Sequence, residues 1–348
     1  MRVKHWLVGT IVLAMAALAA LGAQTEHRGG GRFTVAVMDK PVPPELQNLR
    51  DPALIGAVDI HFHVGPDSYP RSIDALEASK LAKERGMRGA VLKHHYSHTA
   101  GLAYLARKAA PGFEAFGGIA QNTPVGGLNV EAIQHMVEVE GGYGKVVWMP
   151  THDSVTEGTA EKRSFVTVSR NGELVQEAKD VIALVAKYQL TLETGHSTPA
   201  EQLAIIREGK RVGVQHIIVT HEGSIGGPMT IDQLKEAVKL GAFIEVVTGN
   251  GVGAQAKAKA EHIRQIGPQY VVVSSDLGLL GSPFHPDGLA AFAKVLRAAG
   301  FTEGELDMMY KDTPAALLGM TPRQRPVARV PIGPRRPLAS AGSPAPAF

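Results

Sequence analysis

The sequence predicts an α/β protein that folds as a single-domain (β/α)8 TIM barrel, with a small hairpin inserted after the fourth strand. Residues 51–320 form a body of suitable size, since about 250 residues is typical of such barrels. Short apolar runs rich in β-branched residues recur through this body, and segments with helical periodicity separate most of them. The eight predicted strands are 57–60, 89–92, 115–119, 145–149, 190–194, 216–220, 243–247 and 270–274.

The alternation of strands and helices favours parallel strands that are joined by right-handed crossovers. Segments 73–85, 201–208 and 231–240 have the apolar spacing of helices. A doubly wound open sheet would place a glycine-rich phosphate loop after its first strand. The first strand here ends in histidines instead, which favours the closed barrel.

The longest interval between predicted strands separates the fourth from the fifth and contains a hairpin signal. Two runs, 164–169 and 173–175, flank the sequence Asn171-Gly172, and Asn-Gly favours the tight turn of a β-hairpin. In a barrel this insertion would lie on the active-site face, where we expect a lid.

The beginning of the chain is predicted to be an export signal. Arg2 and Lys4 precede the apolar segment 6–22, and small residues follow at 19–23, so residues 1–23 fit a secretory signal peptide. An uncleaved membrane anchor is the alternative. With cleavage, we expect a periplasmic protein without stable membrane association, provided that the source is a two-membrane bacterium.

The segments that flank the barrel and the charge of the chain exclude several functions. Residues 24–50 are predicted to be a linker, and residues 321–348 a disordered tail rich in proline and arginine. The net charge of +3 resides at the two ends, so no nucleic-acid partner is expected. The chain has no cysteine, which excludes disulfides, thiolate metal sites and a cysteine nucleophile.

Polar side chains follow several predicted strands at the end where barrel enzymes carry their chemistry. His61 and His63 follow the first strand. Strand side chains alternate, so both imidazoles point into the barrel mouth, where they form a natural chelate for zinc. Two histidines in an ordinary turn are the alternative.

Further candidate ligands come from the fifth, sixth and eighth strands. His196, His221 and Asp276 each appear where an apolar strand ends. Any one of them could be a surface histidine or a helix N-cap. Together they predict a metal site at the barrel mouth.

Candidate substrate-binding residues lie after the first, second and fourth strands. By alternation Lys93 and His95 line the pocket, while His94 packs against a helix or is exposed. Arg71 could bind a substrate carboxylate or be a solvated loop charge. His152 has either a supporting role near the site or a structural one.

The order of these motifs resembles the amidohydrolase superfamily of metal-dependent hydrolases over residues 54–320. Within it, the chain looks like an uncharacterised amidohydrolase-like group through the segments DIHFHVGPD, VLKHHYSHT, GGLN, VVWMPTHDS, TGHS, IVTHE and SSDLG. The resemblance implies that His61, His63 and His196 bind a divalent metal. Asp276 would also ligate it and take a proton from the attacking water, and His221 would be a metal ligand or a hydrogen-bond partner of water or substrate.

One departure from the superfamily bears on the number of ions. Binuclear members bridge their metals with a carboxylated lysine or a glutamate at the fourth strand, which here ends Trp148-Met149-Pro150. We therefore expect one ion, Zn²⁺, rather than two. Lys93 could supply a bridge from the second strand, although a substrate-anchoring role is favoured.

The resemblance implies hydrolysis of a C–N or C–O bond in a small molecule, such as an amide or a lactone. Two alternatives remain open. The same ligands suit decarboxylation of an aromatic or enoic acid, and a non-catalytic exported protein could bind a metal or ligand. Assembly into a homo-oligomer also remains open.

Overall fold

Eight strands form one parallel sheet in the order of the chain, in a computed structural model that describes residues 41–223 and 225–323. A separate two-stranded hairpin lies between the fourth and fifth barrel strands. The strands are β1 (Val58–His63), β2 (Gly89–Lys93), β3 (Glu114–Ala120), β4 (Gly144–Trp148), the hairpin strands β5 (Ser169–Arg170) and β6 (Glu173–Leu174), β7 (Thr191–Glu193), β8 (His216–Val219), β9 (Phe243–Val247) and β10 (Val271–Ser274).

Helices follow the barrel strands and surround the sheet. The first ones are Ala75–Glu84, Ala100–Ala109, Val130–Glu138, Val155–Ala160, Gln176–Lys187 and Pro199–Val212. The later ones are Ile231–Lys239, Gly253–Ile266, His285–Ala298, Glu303–Asp307 and Thr313–Leu317. The predicted helices at 73–85, 201–208 and 231–240 are therefore confirmed, with shifts of a few residues at their ends.

The sheet closes where the chain leaves β10. The Asp276 N–H donates to the His61 carbonyl at 2.9 Å, and the His63 N–H donates to the Leu277 carbonyl at 3.1 Å. These bonds join the last strand to β1, so the predicted (β/α)8 barrel with a hairpin after the fourth strand is confirmed. The closing bonds also bring the candidate ligands of β1 beside the loop that carries Asp276.

Two hydrophobic cores hold the barrel together. One lies between the sheet and the helices. The other fills the interior with side chains of Val58, Ile60, Val91, Phe116, Val146, Trp148, Ile218 and Val272. Leu317 and Leu318 pack against the interior core, and Thr191, the first residue of β7, donates its hydroxyl to the Leu317 carbonyl. The last helix thus covers the amino-terminal end of the barrel, opposite the candidate site.

The first strand is longer than predicted because its register shifts. It continues to His63, and its pairing with β2 is irregular between Asp59 and Phe62. The Asp59 carboxylate accepts the N–H groups of His61 and Ser275, each at 3.0 Å. Phe62 belongs to the outer core, as alternation predicts, so the imidazoles on either side of it face the interior.

The Asn-Gly hairpin is present but smaller than predicted. Asn171 and Gly172 have φ values of 53° and 83°, as the turn requires. Only two residues pair on each side, instead of the predicted runs 164–169 and 173–175. The Ser169 hydroxyl donates to Glu201 at 2.8 Å, which ties the hairpin to the first turn of the helix Pro199–Val212.

The last ten residues of the predicted linker contact the barrel. Residues 44–46 form a 3₁₀ turn with Leu46 buried. The Leu49 N–H donates to Asp287 at 2.7 Å, and Arg85 donates to the Leu49 carbonyl at 2.6 Å. The apolar side chains and backbone groups of this segment find partners on the barrel, despite its prolines.

The rest of the predicted terminal segments lies outside the described residues. These are the signal peptide 1–23, linker residues 24–40 and tail residues 324–348. At the carboxyl end, Arg323 donates to Asp312 at 2.8 Å, so the first residues of the predicted tail pack on the barrel. Among residues 41–223 and 225–323, no helix has the length and apolar character needed to cross a bilayer.

Candidate metal centre

Three side chains from the first and last strands of the sheet converge at the carboxyl end of the barrel. Nε2 of His61 lies 3.0 Å from Oδ1 of Asp276, and Nε2 of His63 lies 3.3 Å from the same oxygen. One ligand atom from each of these three residues lies within 4.8 Å of the other two. This arrangement can hold a divalent cation.

The orientation of His61 is fixed by a carboxylate that the sequence reasoning missed. Nδ1 of His61 lies 3.0 Å from Oε1 of Glu245, which is fully buried in β9. A carboxylate only accepts, so Nδ1 carries the proton and Nε2 faces Asp276. Burial would lower the pKa of His61, but the carboxylates of Asp276 and Glu245 raise it to about 9.

His221, which follows β8, lies beside this group. Its Nε2 is 3.7 Å from Oδ2 of Asp276, and its backbone N–H donates to Oε2 of Glu245 at 3.1 Å. His61, His221 and Glu245 form a second set whose ligand atoms lie within 4.8 Å of one another. Burial lowers the pKa of His221 to about 3, so its imidazole is neutral at physiological pH.

The backbone turns sharply at two of these residues. His221 has a φ of 55° and Asp276 a φ of 51°, in the left-handed region that costs residues other than glycine about 1–2 kcal/mol. Such conformations persist where the surrounding structure determines them, and they are concentrated at functional sites. Here they turn both side chains into the barrel mouth directly after β8 and β10.

His196 lies further from the first three ligands. Within the described residues, neither three-residue group includes it. Its ring centroid is 5.2 Å from that of His221, and its Nδ1 lies 2.5 Å from Oε2 of Glu157. Its Nε2 is buried without a hydrogen-bond partner. Burial lowers the pKa of His196, and the contact with Glu157 partly offsets this effect.

Lys93 lies deeper than a substrate anchor at the mouth would. It is fully buried, with Nζ 2.7 Å from Nε2 of His61 and 4.8 Å from the ring centroid of Trp148. Burial lowers the pKa of Lys93, against the pull of the nearby carboxylates. Its contact with the ion-facing nitrogen of His61 places it at the candidate ion site itself.

His95 and His152 line the mouth together with Tyr69. The His95 ring lies 4.8 Å from the His63 ring and 4.0 Å from the His152 ring, centroid to centroid. His152 stacks on Tyr69 at 5.4 Å. On the opposite face of the chain, His94 bonds Ser97 and the Val64 carbonyl, so it packs away from the site.

Arg71 pairs with an acidic side chain of the loop after β1. Its Nε and Nη2 donate to Oδ2 of Asp67 at 2.9 and 2.6 Å. Both side chains are almost fully buried. Arg71 is therefore not a solvated charge, because it pairs with Asp67 through its Nε and Nη2 atoms. A role in binding a substrate carboxylate stays a prediction.

Three glutamates near the site were missed by the sequence reasoning. Glu193 is fully buried, and burial together with the charge of Glu245 raises its pKa to about 8. A charge inside an apolar strand was the available signal for Glu193 and Glu245. For Glu157 the pattern Ser154-x-x-Glu predicts a helix start, but not a contact with a histidine 39 positions away.

The donor set fits a divalent ion. Nε2 of His196 and Nε2 of His221 are buried without hydrogen-bond partners, and buried polar atoms are normally paired. Imidazole nitrogens with a carboxylate are the ligands that zinc prefers in catalytic sites. The bond from His61 to Glu245 is the kind of outer contact that orients metal-binding histidines.

Solved structures share this fold at low sequence identity. An amidohydrolase from Pseudomonas aeruginosa matches with a TM-score of 0.53 and 12% identity, over 76% of this chain and 96% of that one. A mutant organophosphorus hydrolase from Deinococcus radiodurans matches with a TM-score of 0.53 and 15% identity, over 77% and 94%. A 2,6-dihydroxybenzoate decarboxylase in complex with 2,6-dihydroxybenzoate matches with a TM-score of 0.51 and 14% identity, over 76% and 100%.

The chain therefore shares the barrel fold of these solved structures. Residues 56–245 match the sequence profile of a family described as a family of unknown function, DUF6282. The chain belongs to this family. No curated protein matches the chain.

Proposed function

We propose that this chain is a metal-dependent hydrolase that uses one Zn²⁺ ion to cleave a C–N or C–O bond in a small substrate such as an amide or a lactone. The observation that carries the proposal is the convergence of His61, His63 and Asp276, with ligand atoms within 4.8 Å of one another. Asp276 lies more than 200 positions after the two histidines in sequence, and barrel closure brings the three side chains together.

His61, His63 and Asp276 would hold the ion. His221 after β8 and His196 after β7 would lie beside it. A bound divalent ion would polarise the substrate carbonyl and lower the pKa of a coordinated water. Within the described residues β4 offers no bridging ligand, because its last side chain, Trp148, is buried in the interior core. This favours one ion.

Asp276 is suited to move the proton. Its side chain is 24% exposed, whereas those of His61 and His63 are at most 5% exposed. Water and substrate can therefore reach this carboxylate. It accepts a proton from the attacking water and returns it to the leaving group. His221, neutral and 3.7 Å from Asp276, would donate a hydrogen bond to the substrate carbonyl.

Metal content of the purified protein tests the ligand assignment. We expect about one zinc per wild-type chain and loss of zinc in His61→Ala and His63→Ala, measured by mass spectrometry. His135→Ala is the control, because His135 is highly exposed on a helix. A His61→Ala and His63→Ala pair that keeps stoichiometric metal would contradict the assignment.

A substrate screen tests the reaction. Amides, lactones, esters and aromatic carboxylates are incubated with the zinc-loaded enzyme, and acid or amine release is measured beside carbon dioxide release. Hydrolysis products support the proposal. Carbon dioxide without hydrolysis would assign the chain to the decarboxylases, and stoichiometric zinc without turnover of any class would favour a binding protein.

A further inference from the structure

We infer that Glu157 is a positioning residue of the proposed metal centre, which it serves by fixing the orientation and tautomer of His196. The inference rests on the proposed function, because it assumes an ion in the barrel mouth. Glu157 lies on the short helix Val155–Ala160 after β4. Its carboxylate contacts two imidazoles of the barrel mouth, those of His196 and His152.

The backbone of His196 is held independently of its side chain. Its N–H donates to the Pro150 carbonyl at 2.9 Å. Gly195 before it has a φ of 64°, and a Cβ atom there would lie 2.3 Å from the Met149 carbonyl oxygen. The strand end therefore presses closely against β4, and the remaining freedom of His196 is the rotation of its ring.

Glu157 removes that freedom. Its Oε2 lies 2.5 Å from Nδ1 of His196, and its Oε1 lies 3.4 Å from Nδ1 of His152. Because a carboxylate only accepts, Nδ1 of His196 carries the proton and Nε2 keeps its lone pair. That Nε2 is buried and has no hydrogen-bond partner, which leaves it available as a ligand.

Glu157 is itself fixed by local structure. Ser154 caps the helix and accepts the Glu157 N–H at 3.3 Å. The neighbouring Thr156 hydroxyl donates to the Gly226 carbonyl at 3.3 Å, which attaches the helix to the loop after β8. The carboxylate therefore has a defined position before any ion binds.

A second carboxylate of the site, that of Glu245, orients a histidine in the same way. Glu245 accepts from Nδ1 of His61 and leaves Nε2 facing Asp276. Two histidines on different walls are thus oriented by carboxylates through equivalent nitrogens. Glu245 does so from inside a barrel strand, and Glu157 does so from a helix outside the sheet.

Loss of such an outer contact typically lowers metal affinity 10–100-fold. The Kd for zinc, measured by chelator competition, should therefore rise about 10–100-fold in Glu157→Ala and by less in Glu157→Gln. Glu138→Ala is the matched control, because Glu138 pairs with the Nδ1 of His135 at 3.7 Å on the surface. Its zinc Kd should equal that of the wild type.

A double-mutant cycle separates positioning from a general structural effect. If Glu157 acts through His196, Glu157→Ala should raise the zinc Kd in the wild type and change it little in a His196→Ala background. The visible spectrum of the Co²⁺-substituted protein should change in Glu157→Gln and not in Glu138→Ala. If Glu157→Ala does not fold, Glu157→Gln supplies the same cycle.

Two results would overturn the inference. One is an unchanged zinc Kd in the Glu157 variants, and the other is an equal, additive effect of Glu157→Ala with and without His196. Either result leaves the proposed function intact as long as His61→Ala loses zinc. If His61→Ala keeps its zinc, the proposed function fails instead.

Discussion

Asp276 combines two roles that a substitution can separate. It faces both imidazoles of β1 and is more exposed than either of them. Asp276→Asn keeps an oxygen for the ion but removes the group that accepts the proton. We expect zinc content near that of the wild type and a 10²–10⁴-fold loss of kcat, the range typical of general acid–base catalysis.

The measurement pairs zinc analysis with steady-state kinetics on a substrate found in the screen. Ser282→Ala is a suitable control, since Ser282 lies on the same loop and its N–H contact to Leu279 is a backbone bond. Asp276→Asn with wild-type turnover would show that another group takes the proton.

The sequence predicted the converging ligands because they obey simple local rules. His61 and His63 alternate along one strand, and Asp276 follows the last strand. His196 was placed with them by its position at a strand end, but within the described residues neither three-residue ligand group includes it. Its orientation depends on Glu157, a long-range contact that no local pattern encodes.

At the scale of elements, the junction of β1 with the loop after β10 is the tightest point of the site. Gly278 has a φ of 120°, and a Cβ atom there would lie 2.1 Å from the His63 carbonyl oxygen. The imidazole of His285 donates to the same carbonyl at 2.8 Å and stacks on Phe62. A close backbone approach therefore fixes the position of His63.

Gly278→Ala should displace His63 as well as strain the backbone. Gly300→Ala is the matched control, because Gly300 has a φ of 81° but open space around it. We expect Gly300→Ala to lower the free energy of unfolding by about 1 kcal/mol through backbone conformation alone. Gly278→Ala should lower it by more and should also weaken zinc binding.

Urea unfolding and chelator competition measure the two effects. Equal losses of stability in both variants, with zinc affinity unchanged, would show that the contact between Gly278 and His63 relaxes without moving the ligands.

The hairpin was predictable as an element because Asn171-Gly172 specifies its turn. Its short strands were not, because pairing length depends on the packing of Leu174 and Val168 in the outer core.

At the scale of the whole molecule, closure of the barrel turns a linear pattern into a site. Eight apolar runs predicted the eight strands to within about one residue at each end, except for the carboxyl end of β1. That strand gained three residues because Asp59 supports an irregular register. The proline-rich composition of the predicted linker gave no sign that Leu46 is buried and that Leu49 bonds Arg85 and Asp287 of the barrel.

This packing predicts that the barrel needs the segment before residue 51. A chain that begins at residue 51 loses the buried Leu46 side chain, whose burial is worth about 1.5–3 kcal/mol. It also loses the Leu49 carbonyl and the Asn48 side chain as acceptors for the buried Arg85, and an unpaired buried donor costs about 1–3 kcal/mol.

The free energy of unfolding should therefore be about 2.5–6 kcal/mol lower for a chain beginning at residue 51 than for one beginning at residue 41. Urea unfolding of the two chains measures this difference, and Leu46→Ala in the longer chain isolates the apolar part. Coincident unfolding curves would mean that Arg85 keeps its pairing through Asp287, 2.9 Å away, and that the segment merely covers a barrel that is already complete. If Leu46→Ala in the longer chain lowers the free energy of unfolding as much as the truncation does, the stabilisation comes from apolar burial, and Asp287 alone satisfies the guanidinium of Arg85.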